Sequence, residues 1–173
     1  YKNKKRNFNN FFKGNSYCKL SNIYDYNHTD YVKLDLTKKF KLKKNSFNNI
    51  IIFNVLEHLP DTKNVFIEIK NILKKNGVVI GSTPFIYQIH GAPNDYFRFT
   101  KDFFYEHLKK KFKNVYIKQL GHGPFIASFS LINSYLKFFP ILRELIFIFA
   151  YILDSLIQIF VKTKLSEIYP VGF

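Results

Sequence analysis

The spacing of apolar residues along the chain predicts strands that alternate with helices. Residues 50–55 form an apolar, largely β-branched run without a polar face, which is typical of an interior strand of a parallel sheet. Apolar residues then recur every three or four positions, which predicts a helix from Asp61 to Lys74. Residues 77–82 predict the next strand.

Shorter segments on both sides of this unit continue the alternation. Residues 16–20 and 31–35 predict two strands before it, and residues 114–120 predict a strand after it. A helix over residues 101–112, capped by Thr100, precedes that last strand. Strands and helices alternating at this pitch predict an α/β fold: a three-layer sandwich with a mainly parallel sheet between helices.

The apolar density rises sharply after residue 124. The longest unbroken apolar run, residues 145–153, has nine residues and ends at Asp154, whereas a bilayer core requires about 20. This pattern favours hydrophobic helices that cover the domain or lie in the membrane interface. A true membrane span is the alternative, at the cost of a carboxylate inside the helix.

Composition limits the classes of protein to which the chain can belong. Its 173 residues suffice for one domain, and its net charge of +15 invites a nucleic-acid interpretation. Only three of the 27 basic residues are arginines, so specific nucleic-acid recognition is not predicted.

Cys18 is the single cysteine, which predicts a reducing, cytoplasmic location, with the inner face of the membrane as an option. Without Met or an apolar leader, the sequence is interpreted as a piece of a longer protein.

Polar residues follow several predicted strands at the point where ligands bind in open α/β sheets. Asp35, Asn54 and Thr83 are predicted to form a shelf for a nucleoside-bearing cofactor. Leu36 and Val55 offer apolar walls to a flat base. The alternative for Asp35 is a turn or a helix cap, which aspartate forms equally readily after a strand.

Two long segments resemble a known family. The stretch YVKLDL and the stretch NNIIIFNVLEHLPDTKNVFIEIKNILKKNGVVIGSTPF are similar to class I S-adenosylmethionine-dependent methyltransferases of the type 11 group. The pattern H-x-x-P-x-D-Y-x-R-F-T at residues 90–100 resembles a subgroup associated with cell-envelope and polysaccharide chemistry. The resemblance covers residues 16–120 and the stretch YPVGF at residues 169–173.

The resemblance implies a Rossmann-like fold and S-adenosyl-L-methionine as cofactor. It implies a partial methyltransferase domain over residues 1–123, a hydrophobic helical insertion over 124–164, and the start of the final strand over 165–173. The family's first strand and its glycine-rich loop have no counterpart here, so the fold is predicted to lack that strand. The residues implied on the cofactor side are Ser21, Asp35, Leu36, Asn54 and Val55, with Ser21 standing where the family has an acid for the ribose.

Residues 90–100 leave the strand edge where the methyl acceptor is expected. His90 is predicted to remove a proton, Asp95 to orient it, and Arg98 to hold an anionic acceptor. The alternative is that Asp95 and Arg98 pair with each other and pin the loop. His58 is expected to hold its turn rather than act as a base. No metal site is predicted, because His28, His107 and His122 have no ligand partners at metal-binding spacings and a single cysteine offers little for a zinc site.

The function predicted is methyl transfer to an unknown acceptor, a saccharide or a lipid-linked envelope substrate. The partners predicted are that small-molecule or saccharide acceptor and a peripheral membrane contact through residues 125–163; the oligomeric state stays open. A non-catalytic protein that docks on a membrane or a protein partner is one alternative. An RNA-binding or RNA-modifying protein is the other.

Overall fold

The computed structural model describes residues 19–22, 24, 31–91 and 94–173. Strands and helices follow one another along the first half of this part, and helices dominate the second half. The strands are β1 (Leu20–Asn22), β2 (Tyr31–Lys33), β3 (Phe47–Phe53) and β4 (Leu73–Ser82). The helices are α1 (Lys63–Ile72), α2 (Lys101–Leu108), α3 (Pro124–Ile132), α4 (Pro140–Phe160) and α5 (Leu165–Ile168), with 3-10 turns at Leu56–His58 and Tyr135–Phe138.

The four strands form two parallel pairs. β1 lies beside β2 with Ser21 opposite Val32, and β3 lies beside β4 with Ile51 opposite Ile80. The parallel pairing predicted from the sequence is confirmed, whereas a three-layer sandwich is not confirmed by these two small sheets. Of the predicted strand 16–20, only the last two residues are described, and the strand observed there continues to Asn22.

The prediction that residues 50–55 form a fully buried strand is wrong. Ile50 and Ile52 pack against the hydrophobic core, whereas Ile51 is 50% exposed and Phe53 is 54% exposed. Side chains alternate between the two faces of a strand. Only one face of β3 is therefore covered.

Helix α1 covers that face and supplies half of the buried residues of the core. Its buried residues recur at the predicted spacing, and they pack with the buried Phe40, Leu56, Phe99 and Phe104. The helix ends at Ile72 rather than at Lys74, because Leu73 is already extended. A side-chain oxygen of Asp61 accepts a hydrogen bond from the Lys63 amide at 2.8 Å, which satisfies a donor of the first turn.

Two predictions after β4 need correction. Helix α2 starts after its cap Thr100, as predicted, but ends at Leu108. Residues 114–120 do not form a strand; only Leu120 pairs, in an antiparallel bridge with Gly172. Pro84 bridges Gly172 in the same sense, so the stretch around Gly172 lies between the end of β4 and Leu120.

Helices α3 and α4 pack against each other through a buried carboxylate. Asp154 is fully buried, and its two oxygens accept hydrogen bonds from the amides of Phe125 and Ile126 at 3.0 and 2.9 Å. These amides belong to the first turn of α3, where no intrahelical partner exists. Within the part of the chain that the structure describes, no helix is long and apolar enough to cross a membrane.

Candidate functional site

The carboxylate of Asp35 is engaged in its own turn. One oxygen accepts from the Thr37 amide at 3.0 Å and from the Thr37 hydroxyl at 2.6 Å, and the other lies 3.1 Å from the Lys38 ammonium. The hydrogen bonds from Thr37 lower the pKa of Asp35. The structure thus matches the turn-forming alternative for this residue, and one of its oxygens keeps room for a further donor.

Two other predicted cofactor residues, Ser21 and Leu36, lie within a strand and against the core. Ser21 is exposed in the middle of β1 rather than beyond its end. Leu36 is half-buried and packs against the hydrophobic core, so it does not present a free apolar wall.

The end of β3 retains more of the predicted shelf. Asn54 adopts a left-handed backbone with φ 50°, which turns the chain sharply out of the strand. Its side-chain oxygen accepts from the Ser82 hydroxyl at 3.2 Å, so polar groups from the ends of β3 and β4 meet there. Val55 is half-buried just after it. Thr83 is 2% exposed and its backbone pairs with Phe173 in both directions, so the chain itself covers this part of the predicted shelf.

His90, Asp95 and Arg98 lie together in an ionic cluster, in which Asp95 and Arg98 pair with each other as in the alternative interpretation. The two terminal nitrogens of Arg98 donate to the two carboxylate oxygens of Asp95 at 2.5 and 2.6 Å. Arg98 also donates to the carbonyls of Phe97 and Gln88. The hydrogen bonds from Arg98 hold the pKa of Asp95 well below its usual range, and Asp95 in turn raises the pKa of Arg98.

Asp95 also positions His90. One carboxylate oxygen accepts from the His90 backbone amide at 3.0 Å and lies 3.3 Å from the His90 Nδ1. The Gln88 carbonyl lies 3.3 Å from the same nitrogen. Because both neighbours of Nδ1 are acceptors, the proton of a neutral imidazole resides on Nδ1 and the lone pair on Nε2.

A cavity of about 440 Å³ adjoins this cluster. Asp95 and Arg98 form part of its lining. The rest of its lining is aromatic and aliphatic and comes from residues 85–87, 89, 96–97 and 131. Its size suits a small polar ligand with an apolar part.

Glu57, which sequence reasoning did not single out as a site residue, lies at the centre of a second cluster. Its side chain is fully buried, and one carboxylate oxygen lies 3.8 Å from His58 Nε2 and 4.0 Å from His90 Nε2. Burial raises the pKa of the Glu57 carboxyl. The adjacent Glu-His pair was visible in the sequence, but nothing there indicated that His90 would join it.

Residues 14–81 match the family model described as "Methyltransferase domain". The resemblance to class I S-adenosylmethionine-dependent methyltransferases is confirmed over these residues. No curated protein and no solved structure matched the chain. Glu57 and His58 lie within the matched segment, whereas His90, Asp95 and Arg98 lie beyond it.

Proposed function

We propose that this protein, whose residues 14–81 match the family model of a methyltransferase domain, transfers a methyl group from S-adenosyl-L-methionine to an acceptor. The family match is the observation that carries the proposal. In this reaction a nucleophilic oxygen, nitrogen or carbon of the acceptor forms a bond to the methyl carbon, while the bond to the sulfonium sulfur breaks and its electron pair stays on sulfur. Such a transfer depends mainly on alignment of the two reactants.

The cofactor is proposed to bind beyond the end of β3. The left-handed turn at Asn54 and its hydrogen bond with Ser82 support this position, because they expose backbone and polar groups at the sheet edge. Asp35 is part of the proposed cofactor site, because its turn leaves one carboxylate oxygen partly free. Leu36 and Ser21 are weaker members, since one is packed into the core and the other lies within a strand.

The acceptor is proposed to lie in the cavity beside Asp95, against residues 85–87 and 95–98. His90 is the proposed proton acceptor, because Asp95 orients its ring and leaves Nε2 unprotonated. Arg98 is proposed as a positioning residue rather than an anion-binding one, since its terminal nitrogens already donate to Asp95 and to two carbonyls. A saccharide or lipid-linked envelope acceptor is supported only by the resemblance of residues 90–100.

Calorimetry with S-adenosyl-L-methionine tests the cofactor site. We expect micromolar binding to the wild-type protein and at least fivefold weaker binding to Asn54→Gly, which keeps the left-handed backbone but removes the side chain. Asn45→Gly is the matched control, because Asn45 has a nearly identical φ of 52° and precedes β3 instead of following it. Absence of binding at millimolar cofactor, or equal weakening in both variants, would contradict the proposal.

A second candidate function is docking on an anionic membrane surface through α4. One face of this helix exposes Ile141, Leu145, Phe149, Ile152, Leu156 and Ile159. These residues recur every three or four positions, which gives the helix an unpartnered apolar stripe. The net charge of +15 would add attraction to anionic lipids.

Sedimentation with vesicles of phosphatidylcholine and phosphatidylglycerol tests this candidate. We expect the wild-type protein to bind. The double variant Leu145→Ser with Leu156→Ser should lose roughly thirtyfold in affinity or more, because each leucine contributes on the order of 1 kcal/mol or more when buried. Tyr116→Ser, which changes a side chain 88% exposed elsewhere, is the control. Failure to bind vesicles leaves the methyltransferase proposal intact, since the two tests are independent.

A further inference from the structure

We propose that Glu57, His58 and His90 bind a divalent transition-metal ion. Each residue offers one ligand atom, and the three atoms lie within 4.8 Å of one another. The three residues come from two parts of the chain. Glu57 and His58 lie in the 3-10 turn after β3, and His90 lies in the segment after β4.

Glu57 differs from the other buried carboxylates of the described residues. Glu68 accepts from the Phe40 amide, and Asp154 accepts from two amides of α3. Both oxygens of Glu57, in contrast, lack a hydrogen-bond partner within the described part of the protein. An uncompensated buried carboxylate is costly, so a positive partner at this position is favoured.

The hydrogen bonds of the two histidines direct their lone pairs toward Glu57. His58 Nδ1 lies 2.6 Å from the Asn94 carbonyl, which can only accept, so Nδ1 carries the proton and Nε2 the lone pair. The acceptors around His90 Nδ1 fix the same tautomer there. When Glu57 is ionised, three lone-pair atoms thus face one another, and a cation between them relieves their repulsion.

Metal-binding histidines in proteins show the same hydrogen bonding at the ring nitrogen that does not bind the metal. Their second ring nitrogen usually donates to a carbonyl or a carboxylate, which fixes the ring and raises its basicity. Here the Asn94 carbonyl serves His58 and the Asp95 carboxylate serves His90. The two rings meet edge to face, with centroids 5.0 Å apart.

The alternative is a protonated histidine paired with Glu57. The Nε2-to-oxygen distances of 3.8 and 4.0 Å are longer than a charge-assisted hydrogen bond, which spans about 2.7–2.9 Å. Ligand atoms around a tetrahedral ion lie roughly 3.3 Å apart, so the two carboxylate–imidazole pairs must approach by less than about 1 Å. The two imidazole nitrogens, which lie within 4.8 Å of each other, must approach by about 1.5 Å at most. The geometry favours a shared ion over a direct pair.

The ligand set determines the class of metal. Two imidazoles and one carboxylate suit Zn²⁺, Co²⁺, Fe²⁺ or Mn²⁺, whereas Ca²⁺ and Mg²⁺ prefer sites built from oxygen. Three protein ligands leave at least one coordination position for water or another small ligand, as in catalytic rather than structural zinc sites.

Titration of the metal-stripped full chain with Co²⁺ alone provides the test. We expect saturable visible absorption bands with one Co²⁺ per chain, displacement by Zn²⁺, and a higher melting temperature with Zn²⁺ than with the chelator EDTA. Glu57→Gln and His90→Ala should each weaken Co²⁺ binding at least tenfold. His107→Ala is the matched control, since His107 stacks on Phe103 in α2 and belongs to no such cluster, and it should bind as the wild type does.

Each other outcome counts against the site. No saturable spectrum with the wild-type protein, or equal binding by Glu57→Gln and His107→Ala, would overturn the proposal. Should His90→Ala fail to fold, judged by circular dichroism, Glu57→Gln and the wild-type comparison with and without Zn²⁺ decide the question. These readouts need neither cofactor nor acceptor, so they do not depend on a test of methyl transfer. An ion bound to His90 Nε2 occupies the lone pair that accepts the proton in the proposed transfer. The two roles of His90 therefore belong to the metal-bound and the metal-free protein.

Discussion

Replacement of Asp154 by alanine should strongly destabilise the packing of α3 on α4. The substitution removes the acceptors of the Phe125 and Ile126 amides, which meet the carboxylate at 3.0 and 2.9 Å. A buried polar group left without a partner costs about 1–3 kcal/mol. Two such amides, partly reached by water at the start of α3, give an expected loss of about 2–4 kcal/mol in the free energy of unfolding.

Asp154→Asn should lose about half as much, because its amide keeps one oxygen acceptor but directs a donor at the other amide. Urea denaturation followed by circular dichroism measures both variants, and the melting temperature of Asp154→Ala should fall by roughly 4–16 °C for a protein of this size. Glu144→Ala, on the exposed surface of α4, is the control and should change stability by about 0.5 kcal/mol or less. A loss for Asp154→Ala no larger than that of the control would refute the capping argument.

Two further substitutions test other parts of the fold and site. Thr100→Ala removes the side-chain oxygen that accepts from the Phe103 amide at 3.2 Å. Thermal denaturation should report a loss of about 1 kcal/mol in the free energy of unfolding. An unchanged melting temperature would show that this cap contributes nothing. Asp95→Asn weakens the acceptor of His90 Nδ1 and should lower Co²⁺ affinity about 10-fold or more. Unaltered Co²⁺ binding by a folded variant would show that Asp95 does not support His90 as a metal ligand.

Periodicity predicted the helices better than it predicted their ends. The apolar spacing of α1 is long and regular, so its existence and its buried face followed from the sequence. Its end did not, because Leu73 leaves the helix to pair with Phe47 of β3, a contact between distant residues. The left-handed Asn76, just beyond the predicted helix, lies inside β4.

The sequence likewise could not indicate how many faces of β3 are covered. A continuous apolar run indicates that both faces can be buried, but only packing decides whether they are. Here the core lies on the side of Ile50 and Ile52. The opposite side, with Ile51, Phe53 and Ile80, stays about half exposed.

The candidate site shows the same division between local and long-range information. Asp95 and Arg98 are three positions apart, so their pairing was a foreseeable alternative. The absence of a metal site was predicted from His28, His107 and His122 and from the single cysteine. His58 and His90, which are far apart in the sequence, were not considered as ligands. Their meeting depends on two chain turns at the end of the β3–β4 pair, and no local pattern records that.

The backbone of Glu57 also fastens the segment that contains His90. Its carbonyl accepts from the amides of Tyr96 and Phe97 at 2.7 and 3.3 Å, while its carboxylate faces both imidazoles. Outward movement of this segment therefore breaks the main-chain attachment and separates the three side chains in a single step. An ion shared by those side chains would act as a latch, and deuterium uptake at the two amides would slow when Zn²⁺ is added.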